Sequence, residues 1–180
     1  MIYVYLANGF EETEAIAPID LLRRAGKQVI TVGISDNIIV GSHGIPVAAD
    51  TIAQEAPLTD ELEMIILPGG MPGTLNLEKS DYVQAAIDFC MDKGKFIGAI
   101  CAAPSILGHK GLLEGKDAVC YTGFEEQLTG AKIGSGPVAM DGNIITARGA
   151  GAAIEFGLKL VEAVVSPQES LRQRRAILSD

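Results

Sequence analysis

Short runs of aliphatic and β-branched residues recur along this chain at residues 2–7 (IYVYLA), 28–34 (QVITVGI), 64–68 (MIILP), 96–100 (FIGAI), 117–121 (DAVCY) and 143–147 (NIITA). They are apolar nearly throughout instead of alternating, which is the pattern of strands covered on both faces. Helical patterns separate them. In residues 14–26 (EAIAPIDLLRRAG) Ile16, Ile19, Leu22 and Ala25 fall on one face, acids lead, Arg23 and Arg24 close and Gly26 can cap. Residues 80–94 repeat the design with Ser80 or Asp81 as N-cap, and a third helix is expected over roughly 151–165, before Pro167. Strands alternating with helices predict a doubly wound, mainly parallel sheet: an α/β, flavodoxin-like three-layer sandwich. Residues 37–49 and 136–147 read as β-hairpins, the second around Asp141-Gly142. With 180 residues and no linker or repeat, a single domain over 1–180 is expected, residues 166–180 forming a short C-terminal helix or tail.

Charge and composition remove several functions. Fourteen basic against 23 acidic residues give a net charge of -9, which repels a polyanion, and tryptophan is absent, so nucleic acid is not an expected partner. No apolar run approaches the roughly 20 residues that span a bilayer, and the opening MIYVYLANGFEE lacks a basic n-region. A cytoplasmic protein without membrane contact is the expectation. Three widely spaced cysteines (Cys90, Cys101, Cys120), no C-x-x-C pair and only His43 and His109 beside them argue against a disulfide framework and a zinc site. Neither metal nor cofactor is expected; the Ser/Thr phosphate loop of a flavin protein is missing after IYVYLA.

Open α/β sheets bind ligands beyond the carboxyl ends of their strands. Four segments should share that edge: NGFEETE (8–14), GGMPG (69–73), CAAPS (101–105) and RGAGAA (148–153). Cys101 then stands at a strand-to-helix elbow, where amides of the next helix would favour its thiolate. Gly69 and Gly70 can bring bare backbone amides near an oxyanion or an oxidised sulfur, and Glu14 is the nearest group for proton transfer. The residues alone leave second readings open: Cys101 as a buried small hydrophobe, Glu14 as a helix-dipole partner. Cys90 reads as helix packing, Cys120 as strand core and His43 as a solvated turn residue. A continuous helix from 101 would carry His109 roughly 12 Å along its axis, too far to serve the thiol.

The segments N-G-x-E-E-T-E (8–14), I-D-L-L-R-R-A-G (19–26), L-P-G-G (67–70), A-I-C-A-A-P (99–104) and R-G-A-G-x-x-x-E-F-G-L (148–158) together resemble the ThiJ/PfpI superfamily, on the branch of the Parkinson-disease protein DJ-one. The resemblance implies a homodimer, with Cys101 as reactive thiol and Glu14 as a protonated carboxyl hydrogen-bonded to it. It further implies Gly70 and Ala102 amides at an oxyanion or sulfinate site, with Gly69, His43 and Arg148 as possible lining. Many relatives carry a histidine directly after the cysteine or after the next strand. Here Ala102 follows Cys101, and the second position, in CYTGFEE near Gly123, has none. That departure speaks against protease-like activity and leaves Glu14 as the base. The implied activity is a thiol enzyme acting on small reactive carbonyls or glycated groups, of glyoxalase or deglycase type, in stress protection. The alternative is a cysteine-based redox sensor or chaperone without turnover. For the dimer, apolar residues on more than one face of 14–26 suggest that the first helix meets a partner subunit.

Overall fold

In a computed structural model describing residues 1–179, the apolar runs become neighbouring strands. The chain forms β1 (Ile2–Leu6), α1 (Glu12–Arg24), β2 (Val29–Gly33), β3 (Ile38–Val40), β4 (Pro46–Ala48), β5 (Thr51–Ile52), β6 (Met64–Leu67), α2 (Gly73–Glu78), α3 (Asp81–Asp92) and β7 (Phe96–Ile100). It continues through α4 (Pro104–His109), β8 (Asp117–Ala118), β9 (Lys132–Ile133), β10 (Val138–Asp141), β11 (Ile144–Ala147), α5 (Ala153–Val164) and α6 (Pro167–Ala176). Seven strands form one sheet in the order β10-β11-β7-β6-β1-β2-β5, parallel except for β10 against β11.

The unbroken apolar character of the strands follows from two cores, one on each face. Ile2, Val4 and Leu6 point to the side of α1 and α5, where Leu22, Phe156 and Leu160 are buried. Tyr3 and Tyr5 point to the side holding Ile87, Cys90 and Leu107. Every residue of β1, β6 and β11 is thus buried. Glycine permits close approach of the layers at Gly157, where an added Cβ would stand 2.6 Å from Leu21 Cδ1.

Several elements differ from expectation. The run 117–121 does not join the main sheet: β8 pairs with β9 in a separate two-stranded ribbon, and Cys120 packs in the core beyond the strand. Helix α1 begins two residues early because Glu11 caps it, its carboxylate accepting the Glu14 amide at 2.8 Å. Pro18 therefore falls inside the helix, leaving the Glu14 carbonyl without its amide partner. Ile16, expected on the packed face, is 45% exposed, while Ala15, Pro18, Ile19, Leu21 and Leu22 are buried. Both hairpins form, as β3–β4 and β10–β11. The C-terminal stretch forms α6, whose N-cap Ser166 accepts the Glu169 amide at 3.1 Å. Among the described residues no helix is long and apolar enough to cross a membrane.

Candidate active site

Adjacent β1, β6, β7 and β11 run parallel, so the segments that follow them, carrying Glu14 in the first turn of α1, Gly69, Cys101 and Arg148, share one edge of the sheet. At the end of β7 the chain reverses through Cys101, whose φ of 65° lies in the left-handed region. A non-glycine residue there carries a conformational cost of roughly 1–2 kcal/mol. Its neighbours hold it: the Cys101 amide donates to the Ala147 carbonyl at 2.9 Å, and its carbonyl accepts the Tyr121 amide at 2.8 Å. The thiol is left half-buried, within reach of the Gly70 and Ala102 amides.

Glu14 is only 1% exposed and stands against Cys101. Its Oε2 accepts the Gly69 amide at 2.9 Å, and the Ala150 amide also donates to the carboxyl. Gly69 makes the approach possible, since a Cβ there would stand 2.5 Å from Cys101 Cβ and 2.6 Å from Glu14 Oε2. The glycine pair divides its work: the Gly69 amide serves the carboxyl and the Gly70 amide the sulfur.

Burial pushes Glu14 up to about 7, against the lowering effect of its bond with Cys101; the nearby Glu11 charge adds to the rise, and the Gly69 and Ala150 amides oppose it. Burial, then the Glu14 charge and its hydrogen bond, push the Cys101 thiol up to about 12, and the Gly70 and Ala102 amides recover only part. The expected standing thiolate is thereby corrected. Helix α4 starts three residues after the cysteine and has only six residues, so its dipole contributes little against burial and a neighbouring carboxylate. The proton leaves Glu14 first, and the thiol then donates to the carboxylate.

The remaining candidates separate. His43 belongs to another cluster: its amide and Nδ1 lie 2.8 and 2.9 Å from the two oxygens of Glu12, which also accepts from Ser42 Oγ at 3.5 Å and the Ile45 amide at 3.4 Å. It is thus bound to a carboxylate, and it approaches Glu11 at 4.0 Å. Burial alone would raise Glu12, but the His43 side chain, its own amide and the His43 and Ile45 amides hold it down at about 2. Donor atoms of Glu11, Glu12 and His43 lie within 4.8 Å of one another, a spacing a cation could use, although capping and the hairpin already engage both carboxylates. His109 pairs with Glu78 at 2.5 Å, and Cys90 is buried in the core.

Arg148 lies on the rim of a groove of about 500 Å³ that also takes in Tyr121, Ser135, Gly149 and Ala150. Two of its lining residues, Gly149 and Ala150, adjoin the Glu14 carboxyl. A Cβ on Gly149 would stand 3.7 Å from Glu14 Oε1 and 3.3 Å from the Tyr121 ring. Tyr121, Ala150 and Glu11 escape the sequence reading; the segment CYTGFEE held the only hint of Tyr121, as the place searched for a missing histidine.

A left-handed cysteine elbow on a parallel sheet, with a buried carboxyl against the sulfur, defines a flavodoxin-like α/β protein of the cysteine-elbow class. The sequence pattern of the DJ-1/PfpI family matches residues 1–163, and the chain belongs to that family. It is 36% identical to Protein DJ-1 homolog B of Arabidopsis thaliana over 94% of its length, while spanning only 39% of that longer protein. Protein dj-1beta of Drosophila melanogaster is 35% identical over 97% of this chain and 95% of its own, and its crystal structure superposes with a TM-score of 0.93, covering 99% and 97% of the two chains. Glutathione-independent glyoxalase DJR-1.2 of Caenorhabditis elegans is 30% identical over 89% of this chain and 86% of its own. The structure described as oxidised Toxoplasma gondii DJ-1 has a TM-score of 0.90 at 35% identity, covering 98% and 97%.

Proposed function

We propose that this protein is a thiol enzyme that converts small 2-oxoaldehydes to 2-hydroxy acids without glutathione or metal, a carbonyl-stress activity. The observation that carries the reading is the buried Glu14 carboxyl, raised to about 7 and hydrogen-bonded to the Cys101 thiol. A base poised at neutral pH against a thiol pushed up to about 12 can take the proton as the sulfur attacks, so no standing thiolate is needed. The name of the nematode relative, a glutathione-independent glyoxalase, supports the same chemistry.

The proximity of Glu14, Cys101 and the Gly70 and Ala102 amides supports the following steps. Glu14 accepts the thiol proton while the S–C bond forms at the aldehyde carbon. The carbonyl electron pair moves to oxygen, which the Gly70 and Ala102 amides stabilise before it takes the proton as a hemithioacetal. Glu14 then removes the hydrogen on that carbon and returns a proton to the neighbouring carbon, turning the ketone into an alcohol and the hemithioacetal into a thioester. Water attacks the thioester, the C–S bond breaks, and hydroxy acid and thiol are released. The sum is one substrate plus one water, an internal redox with no external oxidant.

The test is lactate formation from methylglyoxal without glutathione or metal. Turnover by the wild type and by Cys90→Ser, abolished in Cys101→Ser, is the expected result; a folded, reduced wild type that makes no lactate sinks the reading.

A second reading rests on the same half-buried sulfur and its two amides. Peroxide would oxidise Cys101 to the sulfenic acid and a second peroxide to the sulfinic acid, each step releasing water, with the amides holding the new oxygens. The neighbour described as oxidised is consistent with such a role. Intact mass after mild peroxide discriminates: a two-oxygen gain confined to Cys101 supports a sensor, and none removes it. We further propose a homodimer through α1, where Ile16 is 45% exposed; sedimentation as a monomer at micromolar concentration refutes it.

A further inference from the structure

The groove beside the reactive pair holds a group that the steps above leave unused. Arg148 follows β11 directly, with its amide fixed to the Pro137 carbonyl at 3.0 Å. Its exposed guanidinium makes no hydrogen bond or ion pair among the described residues. Acids outnumber bases 23 to 14 in this chain, and Arg23, Arg24, Arg172 and Arg174 each hold a carboxylate. No acidic side chain lines the groove, whose about 500 Å³ falls in the range of small-molecule sites. Its lining residues Gly149 and Ala150 neighbour the Glu14 carboxyl, and the Tyr121 ring stands against Gly149. The groove wall therefore brings together backbone that touches the reactive carboxyl, an aromatic side chain and a cation.

We infer that Arg148 sets substrate preference: the groove takes 2-oxoaldehydes bearing a carboxylate at the end remote from the reacting carbon, with that carboxylate on the guanidinium and the body against Tyr121. The inference rests on the proposed roles of Cys101 and Glu14. A planar guanidinium offers two parallel N–H donors that match one carboxylate. A single cation on a surface of net charge -9 suits a singly charged ligand better than a phosphate dianion.

The test compares 4,5-dioxopentanoate with its neutral methyl ester, by initial rates, with intact mass confirming that arginines stay unmodified. Wild type is expected to favour the acid in kcat/KM. Arg148→Gln should lose roughly tenfold on the acid, the scale of one charge-assisted contact in a half-open site, with little change on the ester. Arg148→Lys should recover part of the loss. Lys93→Gln, which removes a charge beyond the far end of α3, should match the wild type on both substrates. An acid-to-ester ratio that Arg148→Gln leaves unchanged overturns the inference. If the wild type turns over neither compound, the carbonyl-enzyme reading fails separately, and alkylation of Cys101 by iodoacetate against iodoacetamide decides. A ratio that falls in Arg148→Gln supports an anion-accepting groove; an equal ratio removes it.

Discussion

Glu12 and Glu14 sit two residues apart in the first turn of α1, both nearly sealed from solvent at 8% and 1% exposure, and the fold drives them in opposite directions. Glu12 faces the β3–β4 hairpin, where donors from Ser42, His43 and Ile45 converge, and is held at about 2. Glu14 faces the end of the sheet, has backbone amides from Gly69 and Ala150 and a weak thiol partner, and rises to about 7. The contrast teaches that burial alone does not decide a carboxyl's charge; the donors waiting at its destination do. One acid fastens a hairpin and the other is left able to exchange a proton.

The sharpest way to break this contrast is to exchange the consequences. Glu14→Gln should lower kcat by about 10²–10⁴-fold, the usual contribution of a positioned acid-base group, and leave the fold intact. Glu12→Gln should retain most turnover but lose stability by roughly 1–3 kcal/mol, since hairpin donors lose their charged acceptor. Steady-state kinetics and denaturant unfolding on both variants check the pair; equal kinetic losses would dissolve the distinction.

Next in size is Gly69→Ala, whose Cβ would wedge between sulfur-bearing and carboxyl-bearing side chains. A loss of roughly 1–3 kcal/mol is expected, together with a Glu14 value moved away from about 7, read from the pH dependence of kcat/KM. An unaltered profile would mean that the close approach is not what tunes the carboxyl.

The pH dependence of stability separates the two acids without touching activity. Glu14, raised from an ordinary 4.5, favours the folded state fully below 4.5, and this contribution is lost as pH rises to about 7. Glu12, lowered from 4.5, contributes above 4.5 and loses its contribution as pH falls toward 2. Urea midpoints across pH should therefore lose their decline between about 4.5 and 7 in Glu14→Gln, and part of their acid-side fall in Glu12→Gln. The smallest effect is expected for His43→Ala: the exposed ring should shift the midpoint only slightly, because Ser42 and backbone donors still hold Glu12.

How much of this was legible beforehand depended on the range of the interaction. Apolar runs and caps are local, so six of the seven strands of the main sheet and the principal helices could be placed from the residues; β5, two residues long, left no such trace. The shared edge followed from parallel topology, bringing Glu14, Gly69, Gly70 and Cys101 to one place. What stayed hidden was contact between segments distant in sequence. Tyr121 reaches the site because β8 stands outside the main sheet and the amide that follows it closes onto the Cys101 carbonyl. The rise of the thiol to about 12 likewise depends on how deeply the elbow is buried, which no spacing reveals.

The left-handed backbone of Cys101 has a consequence for how such a chain changes over generations. Glycine would relieve the conformational cost at that position, and so would asparagine in part. A lineage or a library selected for folding alone should therefore drift away from cysteine there, and do so early, because the exchange raises stability while removing the thiol. Persistence of cysteine at this turn is then a record of selection on chemistry, maintained against the fold's own preference.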